Sequence, residues 1–473
     1  MSDQFESYRH KTRAVIFLMS AAIKTIYGNQ RTLIIDHSFG DGYFCILKEQ
    51  KLISVDELKE IDRLMHQLQL DAKHIKIRAA QSEDWEHLLA PKLTTVRPPV
   101  LMLADHISAS YEFTNLDLSV LPKFELIPYD RGFLLRIGEN GNDLSQFSDS
   151  PKLFGMMKEH EKWGRILKVS SITDLNKQIM DKGFKQVIWV AEGLHEKRIA
   201  ALADNISNQP GIRVIFVAGP SSSGKTTFTK RLAIHLAVNG IQSKYLSMDN
   251  YFLDRDKIPP QADGTLDFEN VSCLDLESLQ RELHQLIRGE AVNKRSYNFI
   301  DGQQEIHKEI MVLGQDEVLI FEGIHGLNPL IHDGMAPESY YRVYISALTQ
   351  LNIDNTHPVS TSDGRLIRRI VRDHKYRGYS ADDTIGRWNS VRHGELSNIF
   401  PFQEQADIMF NSALIYELSV LKRYALPLLK DASKNTIRER LITLLSLFHT
   451  IPDRHVPGTS ILREFIGNSY FKY

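Results

Sequence analysis

A phosphate-binding loop stands out near the middle of the 473-residue chain, where residues 219–226 read Gly-Pro-Ser-Ser-Ser-Gly-Lys-Thr. This is the G-x-x-x-x-G-K-[ST] pattern, in which backbone N–H groups and a helix N-terminus surround phosphate oxygens. The apolar run Val214–Ala218 before it indicates a buried strand, and Thr226–Val238 after it indicates a helix. Lys225 would reach the β- and γ-phosphates, and Thr226 would hold Mg²⁺. The predicted nucleotide-binding residues are Gly219, Pro220, Ser221, Ser222, Ser223, Gly224, Lys225, Thr226 and Thr227.

Two carboxylates follow predicted strands in positions that would bring them to the same loop. Asp249 comes directly after the run Lys244–Met248, and Glu322 comes directly after Val318–Phe321. Ligands of parallel sheets bind at the carboxyl ends of the strands, so we expect both side chains near Lys225. One carboxylate could accept the proton of a hydroxyl during phosphoryl transfer, and the other could order Mg²⁺. The alternative is that both carboxylates only cap helices.

A row of arginines between residues 365 and 377 is the third candidate element. On a helix, Arg365, Arg369 and Arg372 are spaced i, i+4 and i+7 and share one face, and Arg377 follows them just before Gly378. Guanidinium groups match phosphate oxygens, and a cationic helix that closes over a polyphosphate excludes water. We expect this row to act as a lid; the alternative is a solvated, salt-bridged surface helix.

The composition is that of an ordinary globular protein. Hydrophobic residues make up 42% and charged residues 25% of the chain, and 57 basic against 59 acidic residues leave a net charge of −2. This balance gives no general attraction to nucleic acid or to a membrane, and we expect neither as a partner. Cys45 and Cys273 form no disulfide or zinc-ligand pattern, which is typical of a reducing compartment. The N-terminus lacks the apolar core of a signal peptide, so we expect a cytoplasmic protein.

Strand and helix patterns divide the chain into three regions. Residues 1–140 mix helices with strand-like runs and indicate a smaller α+β domain that ends at the turn-forming cluster 138–143. Residues 141–210 indicate a mainly helical connector. From 211 to 473, alternating strands and helices predict an α/β domain with a parallel sheet, helices on both faces and a C-terminal helical extension. Its predicted strands are Val214–Ala218, Lys244–Met248, Val318–Phe321, Arg342–Ile345 and Ile408–Phe410.

The order of these landmarks resembles that of the uridine kinase and phosphoribulokinase family of P-loop kinases, and the uridine kinase branch in particular. The resemblance covers residues 213–411. Its landmarks are Gly219–Thr226, Asp249–Tyr251, Glu322–Gly323 and the arginine-rich stretch 368–378. Residues between Trp388 and Asn411 also resemble long bacterial uridine-kinase-like proteins that carry an added N-terminal region. For Gln403, Glu404 and Asp407 a functional role is open, but their place at one helix-to-strand junction favours a structural role.

The resemblance implies catalytic, donor-binding and metal-binding roles. Asp249 would be the general base that takes the proton of a ribose 5′-hydroxyl, and ATP or GTP would be the phosphoryl donor. Arg369 would lie near the nucleoside, and the two arginines after it would bind the triphosphate. The implied catalytic residues are Asp249, Lys225, Arg372 and Arg377. The implied Mg²⁺ ligands are Thr226, Asp249 and Glu322.

The acceptor pocket matches the family less completely. Glu269, with Asp267 as the alternative, resembles the acidic residue that holds the ribose hydroxyls, and Tyr297 resembles the tyrosine that contacts the base. The histidine that reads the pyrimidine in uridine kinases is replaced by Gly302, and His307 lies too far along the chain to stand in for it. This departure leaves pyrimidine specificity open. The implied acceptor-binding residues are Asp249, Tyr251, Glu269, Tyr297 and Arg369.

The N-terminal region bears a fainter resemblance to the second additional domain of threonyl-tRNA synthetases. The residues that carry it are Asp41–Cys45, Val55–Leu70 and Lys123–Phe133. That domain hydrolyses mischarged tRNA through a His-x-x-x-His pair, and here His10 is followed by Ala14 at the second position. We therefore expect a regulatory, substrate-capping or oligomerising role, the last implying a homo-oligomer, and no editing activity.

The resemblance thus implies an enzyme, a phosphotransferase with an alcohol group as acceptor. The predicted reaction moves the γ-phosphate of ATP or GTP to a nucleoside 5′-hydroxyl, with uridine or cytidine as the acceptor. Two alternatives stay open: another small hydroxylated acceptor such as a sugar phosphate, and a nucleotide-gated regulatory protein linked to RNA. The near-neutral charge disfavours the RNA hypothesis.

Overall fold

The chain divides into two compact units, each made of separate stretches of sequence. The computed structural model describes residues 2–49, 52–71, 75–79, 99–103, 106–111, 118–138, 144, 146–260, 267–299, 301–349 and 351–472. Unit 1 comprises Met1–Val187, Thr349–Asp363 and Leu418–Ile451, and unit 2 comprises Ile188–Leu348, Gly364–Glu417 and Pro452–Tyr473. Residues 139–143 of the predicted turn cluster 138–143 lie outside the part of the chain that the structure describes. The boundaries at 140 and 210 stay predictions.

The described parts of the chain contain both helices and strands. The helices are α1 (Ser2–Tyr27), α2 (Val55–Asp71), α3 (Pro151–Leu167), α4 (Ile172–Met180), α5 (Phe184–Ser207), α6 (Lys225–Val238), α7 (Leu276–Ile287), α8 (Thr361–Arg377), α9 (Ala381–Asn398), α10 (Glu417–Asp431), α11 (Thr436–Ser446) and α12 (Arg463–Ile466). The strands are β1 (Thr32–Phe39), β2 (Gly42–Lys48), β3 (Lys76–Arg78), β4 (Val100–Leu103), β5 (His106–Ala109), β6 (Phe124–Tyr129), β7 (Gly132–Ile137), β8 (Val214–Ala218), β9 (Gln242–Ser247), β10 (Val292–Asn298), β11 (Gln303–Met311), β12 (Glu317–Glu322), β13 (Tyr340–Ser346), β14 (Asn352–Asp354), β15 (His357–Pro358) and β16 (Ile408–Asn411). Among these helices, none has both the length and the apolar content needed to cross a bilayer.

Unit 1 is an α+β unit built on antiparallel sheets. One sheet has the strand order β1-β2-β7-β6 and the other has the order β3-β4-β5. The apolar residues of α1 and α2 pack with those of both sheets into one core. The hairpin β14–β15 belongs to the same unit, because Ile35 donates its N–H to the oxygen of Asn355 at 2.8 Å and the Asn352 amide donates to the oxygen of Ile35 at 2.8 Å. The predicted α+β region before the parallel sheet is confirmed.

Unit 2 contains the parallel sheet that the sequence predicted. Its strand order is β16-β13-β8-β12-β9, and every neighbouring pair runs parallel. All residues of the central strand β8 are buried, which explains its uninterrupted apolar sequence, since a parallel strand is covered on both faces. Each predicted strand is present, and four of the five differ from their predicted bounds by one or two residues. The predicted α/β class is confirmed.

The hairpin β10–β11 was not predicted from the sequence. Its strands pair antiparallel from Val292 with Met311 to Asn298 with Gln303. Most of the residues of β11 are exposed or half-buried, so its sequence lacks the apolar alternation by which strands are detected. The hairpin carries Tyr297, one of the residues predicted to bind the acceptor.

Candidate active site

The phosphate-binding loop leaves the carboxyl end of the central strand β8 and enters helix α6. Lys225 is buried, and its ammonium donates to the backbone oxygens of Gly219 at 3.0 Å and Pro220 at 3.3 Å. Ser222 holds a left-handed φ of 60°, a conformation that non-glycine residues rarely keep outside functional loops. The first backbone N–H groups of α6 have no partner within the helix. The loop therefore combines a cation with the donors that phosphate oxygens need.

Acidic residues lie at the carboxyl ends of β12, which neighbours β8, and of β9, the next strand beyond it. Thr226 Oγ1 donates to Glu322 Oε2 at 3.2 Å, and the Tyr245 hydroxyl donates to the same oxygen at 2.6 Å. Asp249 lies just after β9, in the short 3₁₀ turn Met248–Tyr251. Burial raises the pKa of Asp249 and the charge of Glu322 raises it further, against the opposing charges of Lys225 and two arginines of α8. A carboxyl of raised pKa is suited to receive a proton.

The same residues fit a magnesium ion. The hydroxyl of Thr226 and the carboxylates of Asp249 and Glu322 are hard oxygen donors, which Mg²⁺ prefers. Glu322 raises the pKa of Asp249, which means that the two charges repel each other. A divalent cation bound between them would relieve this repulsion, so the donor set suits the ion.

Three of the predicted arginines converge on one buried carboxylate. Asp373, which is 2% exposed, accepts from Arg369 at 3.2 Å and Arg372 at 2.8 Å, and it lies 3.5 Å from Arg377. Arg369 also donates to the Ser221 hydroxyl at 2.9 Å. Burial and the neighbouring Arg372 lower the pKa of Arg377 to about 10. The arginines are salt-bridged, as the alternative expects, but Arg369 and Arg372 are only 12% and 16% exposed and so do not form a solvated face. The lid stays a prediction.

Arg365 departs from the expected lid. It is 1% exposed, its guanidinium pairs with the buried carboxylate of Glu395, and its Nε donates to the Ser221 oxygen at 3.0 Å. Arg368 behaves in the same way, since it pairs with Glu417 at 2.5 Å and donates to the Ser222 oxygen at 3.3 Å. Both charges are neutralised by buried partners. Arg365 therefore fixes the backbone of the phosphate loop instead of closing over a ligand.

Replacing Glu395 by glutamine is expected to destabilise unit 2. Glu395 is fully buried, pairs with Arg365 and Arg392 and accepts the Ser221 N–H at 3.1 Å, so the variant leaves the buried guanidinium of Arg365 and the half-buried one of Arg392 without this counter-charge. Breaking a buried pair in this way costs about 3–5 kcal/mol. Thermal unfolding of Glu395→Gln should show a clearly lower midpoint. The exposed ion pair Arg288–Glu290 provides the control, because Glu290→Gln should leave the midpoint unchanged. Equal midpoints for the two variants would contradict the role of Glu395.

Two buried polar groups among the predicted acceptor-binding residues, on Glu269 and Tyr297, have unused hydrogen-bonding capacity. Among the described residues, neither Glu269 Oε2 nor the Tyr297 hydroxyl has a hydrogen-bond partner, although both atoms are buried. Burial and then the charge of Glu395 raise the pKa of Glu269 to about 7, against the pull of Arg369 and Lys225. The structure thus places Glu269 within the electrostatic reach of the loop and of α8.

Aromatic rings surround Tyr297. Its ring centroid lies 5.4 Å from that of Phe252 and 5.0 Å from that of Phe299. Tyr251 is different, because it is 2% exposed and its hydroxyl donates to Glu282 at 3.0 Å. Its predicted contact with the acceptor is not reflected in this geometry, and we assign Tyr251 to the support of the site.

Sequence analysis did not identify the carboxylates that pair with the two arginines of α8 that donate to the phosphate-loop backbone. Glu395 and Glu417 lie 30 and 49 residues away from Arg365 and Arg368. The available signal was general, namely that a buried arginine needs a buried acid. Asp407, interpreted as structural, accepts the N–H of Arg342 at 2.8 Å and its guanidinium at 2.9 Å.

The parallel-sheet region is similar to known kinases in sequence. The model of the family described as "Phosphoribulokinase / Uridine kinase family" matches residues 214–418. The uridine kinase of Deinococcus deserti is 27% identical over 197 residues, which are 41% of this chain and 86% of that protein. The uridine kinase of Oceanobacillus iheyensis is 29% identical over 201 residues, which are 41% of this chain and 84% of that protein. The solved phosphoribulokinase from Rhodobacter spheroides is 18% identical, with a TM-score of 0.30 over 42% of this chain and 70% of that one.

These matches cover the strands and loops that carry the site. They begin at β8 and end after β16, and they include the phosphate loop, both acidic strand ends and the arginines of α8. The roles of the individual residues stay predictions, as does the resemblance of the N-terminal region. Residues 214–418 are similar to the phosphoribulokinase and uridine kinase family, and the predicted phosphotransferase with a hydroxyl acceptor is confirmed at that level.

Proposed function

We propose that the kinase domain transfers the γ-phosphate of ATP or GTP to the 5′-hydroxyl of a nucleoside, with uridine or cytidine as the acceptor. The observation that carries the proposal is the raised pKa of Asp249, which the charge of Glu322 raises and the charge of Lys225 lowers. The relatives named as uridine kinases support the choice of acceptor. A cytoplasmic location and a homo-oligomer belong to the same proposal.

The chain's own residues can carry out the steps of the transfer. Asp249 accepts the proton of the acceptor hydroxyl while the bond between its oxygen and the γ-phosphorus forms. The bond between the γ-phosphorus and the β,γ-bridging oxygen breaks, and negative charge builds on the leaving diphosphate. Lys225, Arg372 and Arg377 stabilise that charge, which is the main contribution a protein makes to phosphoryl transfer.

Mg²⁺ would be held by Thr226, Asp249 and Glu322. The ion, when bound, neutralises phosphate charge and favours the in-line displacement. The hydroxyl of Tyr245 keeps Glu322 in place through its 2.6 Å hydrogen bond. This hydrogen bond holds the Glu322 carboxylate in place without any substrate.

The acceptor would lie between Glu269 and Tyr297. A carboxylate accepts hydrogen bonds from neighbouring ribose hydroxyls, and the free oxygen of Glu269 provides such an acceptor. The rings of Phe252, Tyr297 and Phe299 offer an apolar face for a base. Together they give a sugar end and a base end to the pocket.

A second acceptor class is favoured by the turn of the β10–β11 hairpin. Gly302 holds a left-handed φ of 70°, and a Cβ there would lie 2.7 Å from the Arg255 Nε. Arg255 in turn donates to the Phe299 oxygen at 2.9 Å. A guanidinium therefore stands where the uridine kinases resembled by this chain carry a histidine. A cation at this point suits an anionic acceptor such as a sugar phosphate.

Substrate turnover by the whole chain separates the two acceptor classes. ATP and GTP consumption with Mg²⁺ would be measured against uridine, cytidine, other nucleosides, and ribose and ribulose phosphates. The proposal expects uridine or cytidine to give the highest kcat/KM. A preference for a sugar phosphate would replace the nucleoside with the second class, and no turnover of either class would contradict both.

A further inference from the structure

The C-terminal segment Pro452–Tyr473 belongs to unit 2 but lies outside the residues that match the kinase family. It contains the single-turn helix α12, and three of its apolar side chains, Ile461, Leu462 and Phe465, are fully buried. Arg463 ties the segment together through hydrogen bonds to the oxygens of Asp453 at 2.9 Å and Val456 at 2.6 Å. The segment is therefore a built part of the unit and contributes to its core.

Glu464 of this segment binds the phosphate-loop helix. Its Oε2 accepts the backbone N–H of Thr227 at 3.0 Å and the Thr227 hydroxyl at 2.9 Å. Thr227 lies in the first turn of α6, where backbone N–H groups have no partner within the helix and attract anions. A side-chain carboxylate thus uses donors that a phosphate-binding loop offers to a nucleotide.

Neighbouring contacts hold the segment against the same loop. A Cβ on Gly224, the residue before α6, would lie 2.4 Å from Ile461 Cγ2, so the side chain packs directly on the loop backbone. The ring of Phe465 lies under the guanidinium of Arg368 at 4.9 Å. A Cβ on Gly467 would lie 2.3 Å from Lys375 Cε, near the end of α8. The segment therefore touches both the loop and the arginine helix.

The charges around Glu464 favour competition between this carboxylate and a phosphate. Burial raises the pKa of Glu464, the Thr227 donors lower it and the charge of Glu322 raises it again. A donor phosphate brought to the Thr227 N–H would place a second negative charge beside this carboxylate. Like charges at that distance repel, and one hydrogen atom cannot serve both acceptors at full strength.

We propose that Glu464 is an internal competitor of the phosphoryl donor, so that the segment 452–473 restrains nucleotide binding until the carboxylate leaves Thr227. This inference rests on the proposed function for its ligand, a nucleoside di- or triphosphate. It concerns the donor half of the site and does not depend on the acceptor. Binding of the donor and release of Glu464 are then one coupled step.

Calorimetric titration with ADP tests the proposal on the full chain. Glu464→Gln keeps the shape of the side chain and removes its charge, so the Kd for ADP should fall about tenfold, the size of one charge-assisted hydrogen bond. Glu338→Gln is the matched control, because Glu338 is exposed and precedes the amino end of β13, and its Kd should equal that of the wild type. An unchanged or higher Kd in Glu464→Gln would overturn the proposal.

Hydrogen exchange of the unaltered chain gives a second test that does not depend on how the variant folds. Saturating ADP should lower the protection of backbone amides in 452–473, because the segment gives up Thr227. Greater or equal protection with ADP would show that nucleotide and segment bind together and would overturn the inference. Failure of the proposed function looks different, since ADP would still bind and displace the segment while no acceptor is phosphorylated.

Discussion

Replacing Asp249 by asparagine is expected to lower kcat by about 10²–10⁴-fold, the usual contribution of a general base. The amide keeps the size of the side chain but cannot accept the acceptor's proton. Lys225 and the arginines of α8 are unaffected, so the Kd for ADP should stay within about threefold of the wild type. Steady-state kinetics and calorimetric titration measure the two quantities separately.

The raised pKa of Asp249 gives this prediction a second readout. Asp249 acts only when deprotonated, so kcat of the wild type should fall as the pH drops through its pKa, above the ordinary aspartate range. The asparagine variant should lack this acidic limb. Asp256→Asn is the control, because Asp256 is exposed in the same stretch of chain and should change neither quantity. Wild-type turnover in Asp249→Asn would remove this residue as the base.

Lys225→Ala is expected to lower kcat/KM by about 10³-fold, because removal of one preorganised charge from a transferring phosphoryl group has effects of this order. The ammonium is buried, its described hydrogen bonds go to backbone oxygens of the loop, and its charge acts on Asp249 and Glu269 from a distance without a described ion pair. The variant should therefore fold normally. Circular dichroism and initial rates with the preferred acceptor check both statements.

A matched lysine separates local from general effects of lost charge. Lys294 lies on β10, where it pairs with Glu309 at the surface, and Lys294→Ala should leave kcat/KM unchanged. Equal activity of Lys225→Ala and the wild type would exclude the phosphate loop from the mechanism. A large loss in both variants would point to the overall charge instead.

The parts of the site that follow from local sequence were predicted well. The central strands β8 and β12 are apolar runs, and the phosphate loop has a fixed pattern, so their positions follow from residues that are close in sequence. The acidic ends of β9 and β12 followed from the rule that parallel strands present their carboxyl ends at one edge. These features depend on residues that are close in sequence.

Features that depend on distant pairing could not be predicted. Arg365 and Arg369 carry the same charge on one helix. Arg365 supports the phosphate loop because it pairs with the buried Glu395. Arg369 instead donates to the Ser221 hydroxyl. The contact between Glu464 and Thr227 joins residues 237 positions apart. Periodicity carries no information about such partners, because any buried acid could in principle meet any buried base.

The interleaving of the two units limits how this protein can be dissected. Unit 1 includes Thr349–Asp363 and Leu418–Ile451, and Asp363 is held there by Arg9 at 2.9 Å and Arg440 at 3.0 Å. Deleting the first 187 residues would leave those two stretches behind without the rest of their unit. Such a shortened chain would tend to aggregate, so its inactivity would not show that the N-terminal region is needed for catalysis.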